Sequence, residues 1–152
     1  MLDLWKTLTG LVGNTPPSSR KADAHRIAAA ALLVEAGCVD GQMDGIERDQ
    51  IESLLASHFG LDTDEARSLL DAGEKAARES VEWHGFTHTI MRAFDHDAHV
   101  ELIEMLWQVV LSDGRLHDYE ASLMRRITGL LYVSGSESAE ARNRARKALG
   151  LD

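Results

Sequence analysis

The chain has 152 residues, is 44% apolar, and sets 16 Lys and Arg against 25 Asp and Glu for a formal net charge of −9. That length suits one domain burying about two-thirds of its unfolded surface, and the apolar content excludes a disordered chain. The acidic balance repels nucleic-acid phosphates and anionic lipid, so it excludes nucleic acid as a partner and favours cations or basic protein partners.

Residues 1–19 read as a short amphipathic segment, with Leu4, Trp5, Leu8, Leu11 and Val12 at helical spacing, joined to a Pro/Ser linker at Asn14–Ser19. A membrane surface is disfavoured as a partner except through residues 1–13, where Lys6 is the only basic side chain. No stretch approaches the roughly 18–20 apolar residues that span a bilayer. Residues 20–152 form the main domain, in which every periodic segment is helical.

Ile27, Ala28, Ala31, Val34 and Cys38 make the stripe of a first helix ending near Gly37–Asp40. Cys38 is the only cysteine, which excludes an intrachain disulfide and fits a reducing, cytoplasmic setting. Ile46, Ile51, Leu54, Leu55 and Phe59 mark a second helix stopped by Gly60. Asp62-Thr-Asp-Glu65 is a capping box for a third, with Ala66, Leu69, Leu70, Ala76, Ala77 and Val81 inward. Trp83-His-Gly85-Phe reads as a break before a short fourth helix, Thr87–Phe94. Val100, Ile103, Leu106, Trp107 and Val110 mark the fifth, and Tyr119, Leu123, Ile127, Leu130 and Leu131 the sixth. After the loop Val133–Ser136 a seventh runs from Glu137 to Leu149. The fold class is all-α, a compact bundle of about seven helices.

The segment Asp40-Gly-Gln-Met-Asp44-Gly-Ile-Glu47 recurs 73 residues further on, from Asp40 to Asp113, as Asp113-Gly-Arg-Leu-His117-Asp-Tyr-Glu120. The same offset places Leu54 on Ile127 and Phe59 on Tyr132. A helix–acidic turn–helix unit is thus used twice, an internal duplication. Capping explains part of each turn: Asp44 with Glu47, and His117 or Asp118 with Glu120, suit helix starts, worth roughly 1 kcal/mol each. Asp40 and Asp113 lie outside the caps. Clustered carboxylates repel one another unless a cation neutralises them, so Asp40, Asp44, Glu47, Asp113, His117, Asp118 and Glu120 are the candidate metal ligands. The spacing is not that of an EF-hand, which needs a glutamate at its twelfth position, where Ile51 stands.

These paired D-G-x-[ML]-[DH]-x-x-E turns, each preceded by an apolar helix, resemble the TerB-like domain of tellurite resistance. The loop Leu130–Ser136 with its following charged helix is similar as well, and the resemblance spans about Lys21 to Leu149. It implies an all-helical domain holding divalent cations between the two turns, linked to tellurite and chemical-stress resistance, with no established catalytic activity. The ligands carried over are Asp40, Asp44 and Glu47 at one site and Asp113, His117 and Glu120 at the other, with Asp118 able to replace His117. Calcium or magnesium suits the first set; the imidazole at 117 departs from an all-acidic pattern and suits zinc or another transition metal.

Other clusters carry less. His84-Gly-Phe-Thr-His88 has the histidine spacing of a zinc protease, but Gly85 stands where its general base belongs and is expected to break the helix. Asp95-His-Asp-Ala-His99 reads as a capped helix start. The arginines of the last helix suit its C-terminal dipole, or docking on an acidic face of another copy or partner. Three functions follow, in order: a non-enzymatic divalent-cation-binding module acting as scaffold or sensor for a protein partner; a metal-dependent hydrolase using the turn carboxylates and His117; and a metal-free protein–protein adaptor. The oligomeric state is left open.

Overall fold

A computed structural model describes residues 17–37, 45–79, 84–112, 116 and 118–151. Seven helices run through them: α1 (Pro17–Gly37), α2 (Gly45–Phe59), α3 (Thr63–Glu79), α4 (His84–Ala93), α5 (His96–Val110), α6 (Asp118–Leu130) and α7 (Gly135–Ala148). The described residues contain no strand. The all-α bundle expected from the periodicity is therefore the fold.

Two helices form its centre because they are apolar on nearly every side. In α1, Ala28 to Val34 and Ala36 are buried without interruption, and α5 buries Leu102, Ile103, Met105, Leu106, Trp107, Val109 and Val110. The alanines of α1 let neighbours approach closely. At Gly73 of α3 an added Cβ would stand 2.6 Å from the Ala30 Cβ and 2.9 Å from its carbonyl carbon. α3 buries Ala66, Leu70 and Gly73 along one stripe. α7 covers α5 with Ser138, Ala141 and Ala145, and the Trp107 indole N–H donates to the Ser138 hydroxyl at 3.1 Å. On the outside, Arg48 of α2 binds Asp71 and Glu74 of α3.

Local end signals act as the sequence indicates. Glu65 donates its N–H to Asp62 at 2.8 Å while its carboxylate accepts from the Asp62 N–H at 3.1 Å, completing the capping box. Gly60 ends α2 at φ +65°, with the Leu61 N–H donating to the Ala56 carbonyl.

Several expectations are corrected. α1 starts at Pro17, so Pro17–Ser19 belong to its first turn rather than to the linker; proline suits that position because its missing N–H would have had no helical partner. Gly85 lies inside α4, because an isolated glycine in the first turn lowers helix stability without stopping it. Thus His84 and His88 share a helix, and the missing general base is what excludes the protease pattern. α7 begins at Gly135, two residues before Glu137, because Ser134 is the cap and Glu137 its reciprocal partner. Ile46, Tyr119 and Leu130, expected inward, are exposed. Phe59 and Tyr132 differ in role: Phe59 is the last residue of α2 and packs on the core, whereas Tyr132 lies beyond α6 at φ 56° and is exposed. The equivalence of the two halves remains an observation about sequence. Met1–Gly13, Cys38, Val81 and Trp83 lie outside the described residues.

Candidate functional site

Three of the four helix ends that bound the two acidic turns, the ends of α1 and α5 and the start of α2, meet at one end of the bundle. A Cβ placed on Gly37, the last residue of α1, would lie 3.3 Å from the Ile51 Cδ1 of α2, 3.4 Å from the Val109 Cγ1 of α5 and 3.5 Å from the Glu47 Oε2. One small residue thus lets the end of α1 sit against the start of α2 and the end of α5. The side-chain amide of Gln50 in α2 donates to the Gln108 carbonyl in α5 at 3.0 Å. The same 73-residue offset separates Gly37 from Val110, where α1 and α5 end, and Gly45 from Asp118, where α2 and α6 begin.

Of the seven candidate ligands, Glu47, Asp118 and Glu120 are described; Asp40, Asp44, Asp113 and His117 lie outside the described residues. Glu47 and Glu120 each stand third in their helices, the place a capping-box glutamate takes. Glu47 is half-buried and Glu120 is 6% exposed, and both are engaged by polar interactions. Asp118 is exposed in the first turn of α6, where negative charge suits the helix N-terminus. Burial of carboxylates at this end favours neutralising charge, which is the donor chemistry a hard cation meets.

Sequence reasoning missed Glu35. It lies in the last turn of α1, half-buried, and burial pushes its carboxyl above the ordinary glutamate value. Its place in an apolar helix next to the first turn was the available signal. It also missed a cavity of about 390 Å³ between α2 and α5, lined by residues including Leu54, His58, Glu101, Glu104 and Met105. The His58 Nδ1 stands 3.6 Å from the Glu101 carboxylate there. No short-range spacing links those residues in sequence, and none of the described turn residues, Glu47, Asp118 and Glu120, lines the cavity.

The Asp95–His99 segment separates into structural roles. Asp95 caps α5, accepting from the Ala98 N–H at 2.9 Å. His96 reaches Glu137 at 2.7 Å, and the buried His99 ring contacts the Ile90 carbonyl at 3.1 Å. The Ser134 main-chain N–H, then the His96 ring, hold the Glu137 carboxyl below its ordinary value. Among the described residues, no group of three or more His, Cys, Asp or Glu is arranged to hold a metal ion. No helix of the described residues is long and apolar enough to cross a membrane.

Comparison with known proteins gives one family. No curated protein and no solved structure matches the chain. The model of the tellurite resistance protein TerB matches residues 26–143, from α1 into α7, and so takes in both acidic turns. With that match spanning most of its length and both turns in place, the chain belongs to the TerB tellurite resistance family.

Proposed function

We propose that the chain is a non-enzymatic, divalent-cation-binding helical module that serves as scaffold or sensor in a tellurite or chemical-stress response. The observation that carries this reading is the meeting of the helix ends at Gly37, Glu47 and Val109, which brings both flanks of the first acidic turn beside the helix that leads into the second. Asp40, Asp44 and Glu47 would hold a cation through carboxylate oxygens at the first turn, and Asp113 and Glu120, with the His117 ring nitrogen or the Asp118 carboxylate, would hold one at the second. Calcium or magnesium fits the carboxylates; zinc or another transition metal fits a set that includes His117. The module would act in the cytoplasm and present its acidic end to a protein partner.

Isothermal titration with calcium, magnesium and zinc tests the cation. Saturable heat with at least one of them is expected, lost when Asp40→Asn and Asp113→Asn are combined. Absence of heat and of any thermal shift at millimolar metal would sink the reading.

The helix register supports a second reading, a metal-free adaptor. α2 and α6 each begin directly after the turn's fifth residue and carry glutamate at the third helical position, as duplicated capping boxes would. On that reading the double Asn variant keeps its stability whether or not metal is added. Hydrolysis by the turn carboxylates and His117 has less support, since none of the described turn residues, Glu47, Asp118 and Glu120, lines the cavity between α2 and α5.

A further inference from the structure

The cavity between α2 and α5 has no part in the cation reading, and its lining follows two helical stripes. Leu54, Ser57 and His58 of α2 stand at i, i+3 and i+4, while Glu101, Glu104, Met105 and Gln108 of α5 stand at i, i+3, i+4 and i+7. The two helices run antiparallel, because the His58 ring stands beside Glu101 while Gln50 reaches Gln108. Leu54 therefore falls level with Met105. The cleft has a carboxylate end, an apolar middle and an amide end, spaced along about 10 Å of α5.

One of its two carboxylates is compensated and the other is not. Arg144 of α7 binds Glu104. Glu101 has 64% of its side chain exposed, and the His58 Nδ1 at 3.6 Å is beyond hydrogen-bond length, so Glu101 keeps its acceptor capacity. Among the described residues, the Ser57 hydroxyl and the Gln108 side-chain amide make no hydrogen bond. A free carboxylate, an apolar stretch and a free amide in line match an ammonium, a run of methylenes and a second nitrogen. A bare metal ion matches less well, since no three His, Cys, Asp or Glu of the described residues are arranged to hold one, His58, Glu101 and Glu104 included. An anion would meet Glu101 and the field of a chain of net charge −9. The volume of about 390 Å³ lies at the small end of ligand cavities, which run from roughly 300 to 1,000 Å³.

We propose that this cleft binds a linear alkyl diamine or longer polyamine. One ammonium sits on the Glu101 carboxylate beside the Ser57 hydroxyl, where a charge-assisted hydrogen bond holds it. The methylenes lie over Leu54 and Met105 and lose their contact with water. The second nitrogen donates to the Gln108 side-chain oxygen, which favours a diamine over a monoamine of the same length. The inference is independent of any cation at the acidic turns.

The test is isothermal titration of the full chain, in chelator, with putrescine, spermidine and butylamine. Putrescine or spermidine should bind saturably and about tenfold or more tightly than butylamine. Glu101→Gln should weaken that binding about tenfold or more, whereas Glu79→Gln, which removes an exposed carboxylate from α3, should leave it unchanged. Gln108→Ala should lower the diamine to the affinity of butylamine and leave butylamine unaltered, while the main-chain carbonyl still serves Gln50. No saturable binding of either polyamine overturns the proposal, and so does putrescine binding no more tightly than butylamine. An equal loss with Glu79→Gln overturns it by showing a general charge effect. Tighter binding of lysine blocked at both backbone ends overturns it by assigning the cleft to a partner's side chain. Polyamine binding should persist when Asp40→Asn and Asp113→Asn are combined. Polyamine heat without metal heat therefore defeats the cation reading alone, and metal heat without polyamine heat defeats this one alone.

Discussion

The side chain of Gln50 reaches across from α2 to the main-chain carbonyl of Gln108 in α5, at 3.0 Å. That carbonyl is one of the last four of α5, which have no i+4 donor within the helix. The Leu111 N–H turns back to Trp107 and the Ser112 N–H to Val109, leaving the Gln108 oxygen to Gln50. One inter-helix bond therefore finishes α5 and locks the start of α2 beside it.

Gln50→Leu should destabilise the fold by about 1–2 kcal/mol, because a half-buried carbonyl loses its donor. The loss is partly offset, since the Gln50 Oε1 is itself buried without a partner among the described residues. The measurement is the urea midpoint; an unchanged slope would place the effect in stability rather than in compactness.

At the contact of α3 with α1, Gly73→Ala should cost about 1–3 kcal/mol. The added methyl meets the Ala30 Cβ at 2.6 Å and backbone atoms at 2.9 and 3.0 Å, and backbone cannot swing aside. Ala30→Gly in the same chain should restore only part of the loss, since it removes the methyl contact and leaves the backbone ones. Thermal melts of the two single variants and the double one would show this.

Burial raises the Glu35 carboxyl above 4.5, so folding favours its protonated form. Its contribution to stability is most favourable below 4.5 and is lost as pH rises through the raised value. Glu35→Gln should accordingly raise the melting temperature at neutral pH, with the gain vanishing in acid. Glu137 has the opposite sign. The Ser134 N–H, then the His96 ring, lower its carboxyl, so its contribution is complete above 4.5 and is lost as pH falls through the lowered value. Glu137→Gln keeps an acceptor for the cap but should flatten that acid limb. Melting temperatures across a pH series separate the two.

Three helices end with a hydrogen bond closing from five residues beyond its acceptor, with glycine in the left-handed position after α2 and α7 and Tyr132 there after α6. The Val133 N–H donates to Thr128 and the Tyr132 N–H to Gly129, with Tyr132 at φ 56°. Tyr132→Gly should stabilise the protein by about 0.5–1 kcal/mol, as relief of left-handed strain exceeds the added chain entropy. A lower melting temperature would instead show that the exposed ring makes a contact worth more than the strain.

The elements themselves were legible from neighbouring residues. Asp62 with Glu65, Asp95 before α5 and Gly60 after α2 act over one turn of chain, so the residues that form each signal are also the residues that read it. The candidate site was legible only as a pair of turns at a matching offset. Which apolar residues face inward depended on the packing of helices far apart in sequence. Ile46 and Tyr119 fit a helical stripe yet stand outside the core. The burial of Glu120 and Glu35, and the closeness of Gly37 to Val109, come from the same source. Helix starts and stops follow from hydrogen bonds made within four residues. The meeting of the first turn's flanks with the end of α5 follows from side chains brought together across more than seventy, where no local pattern carries the distance.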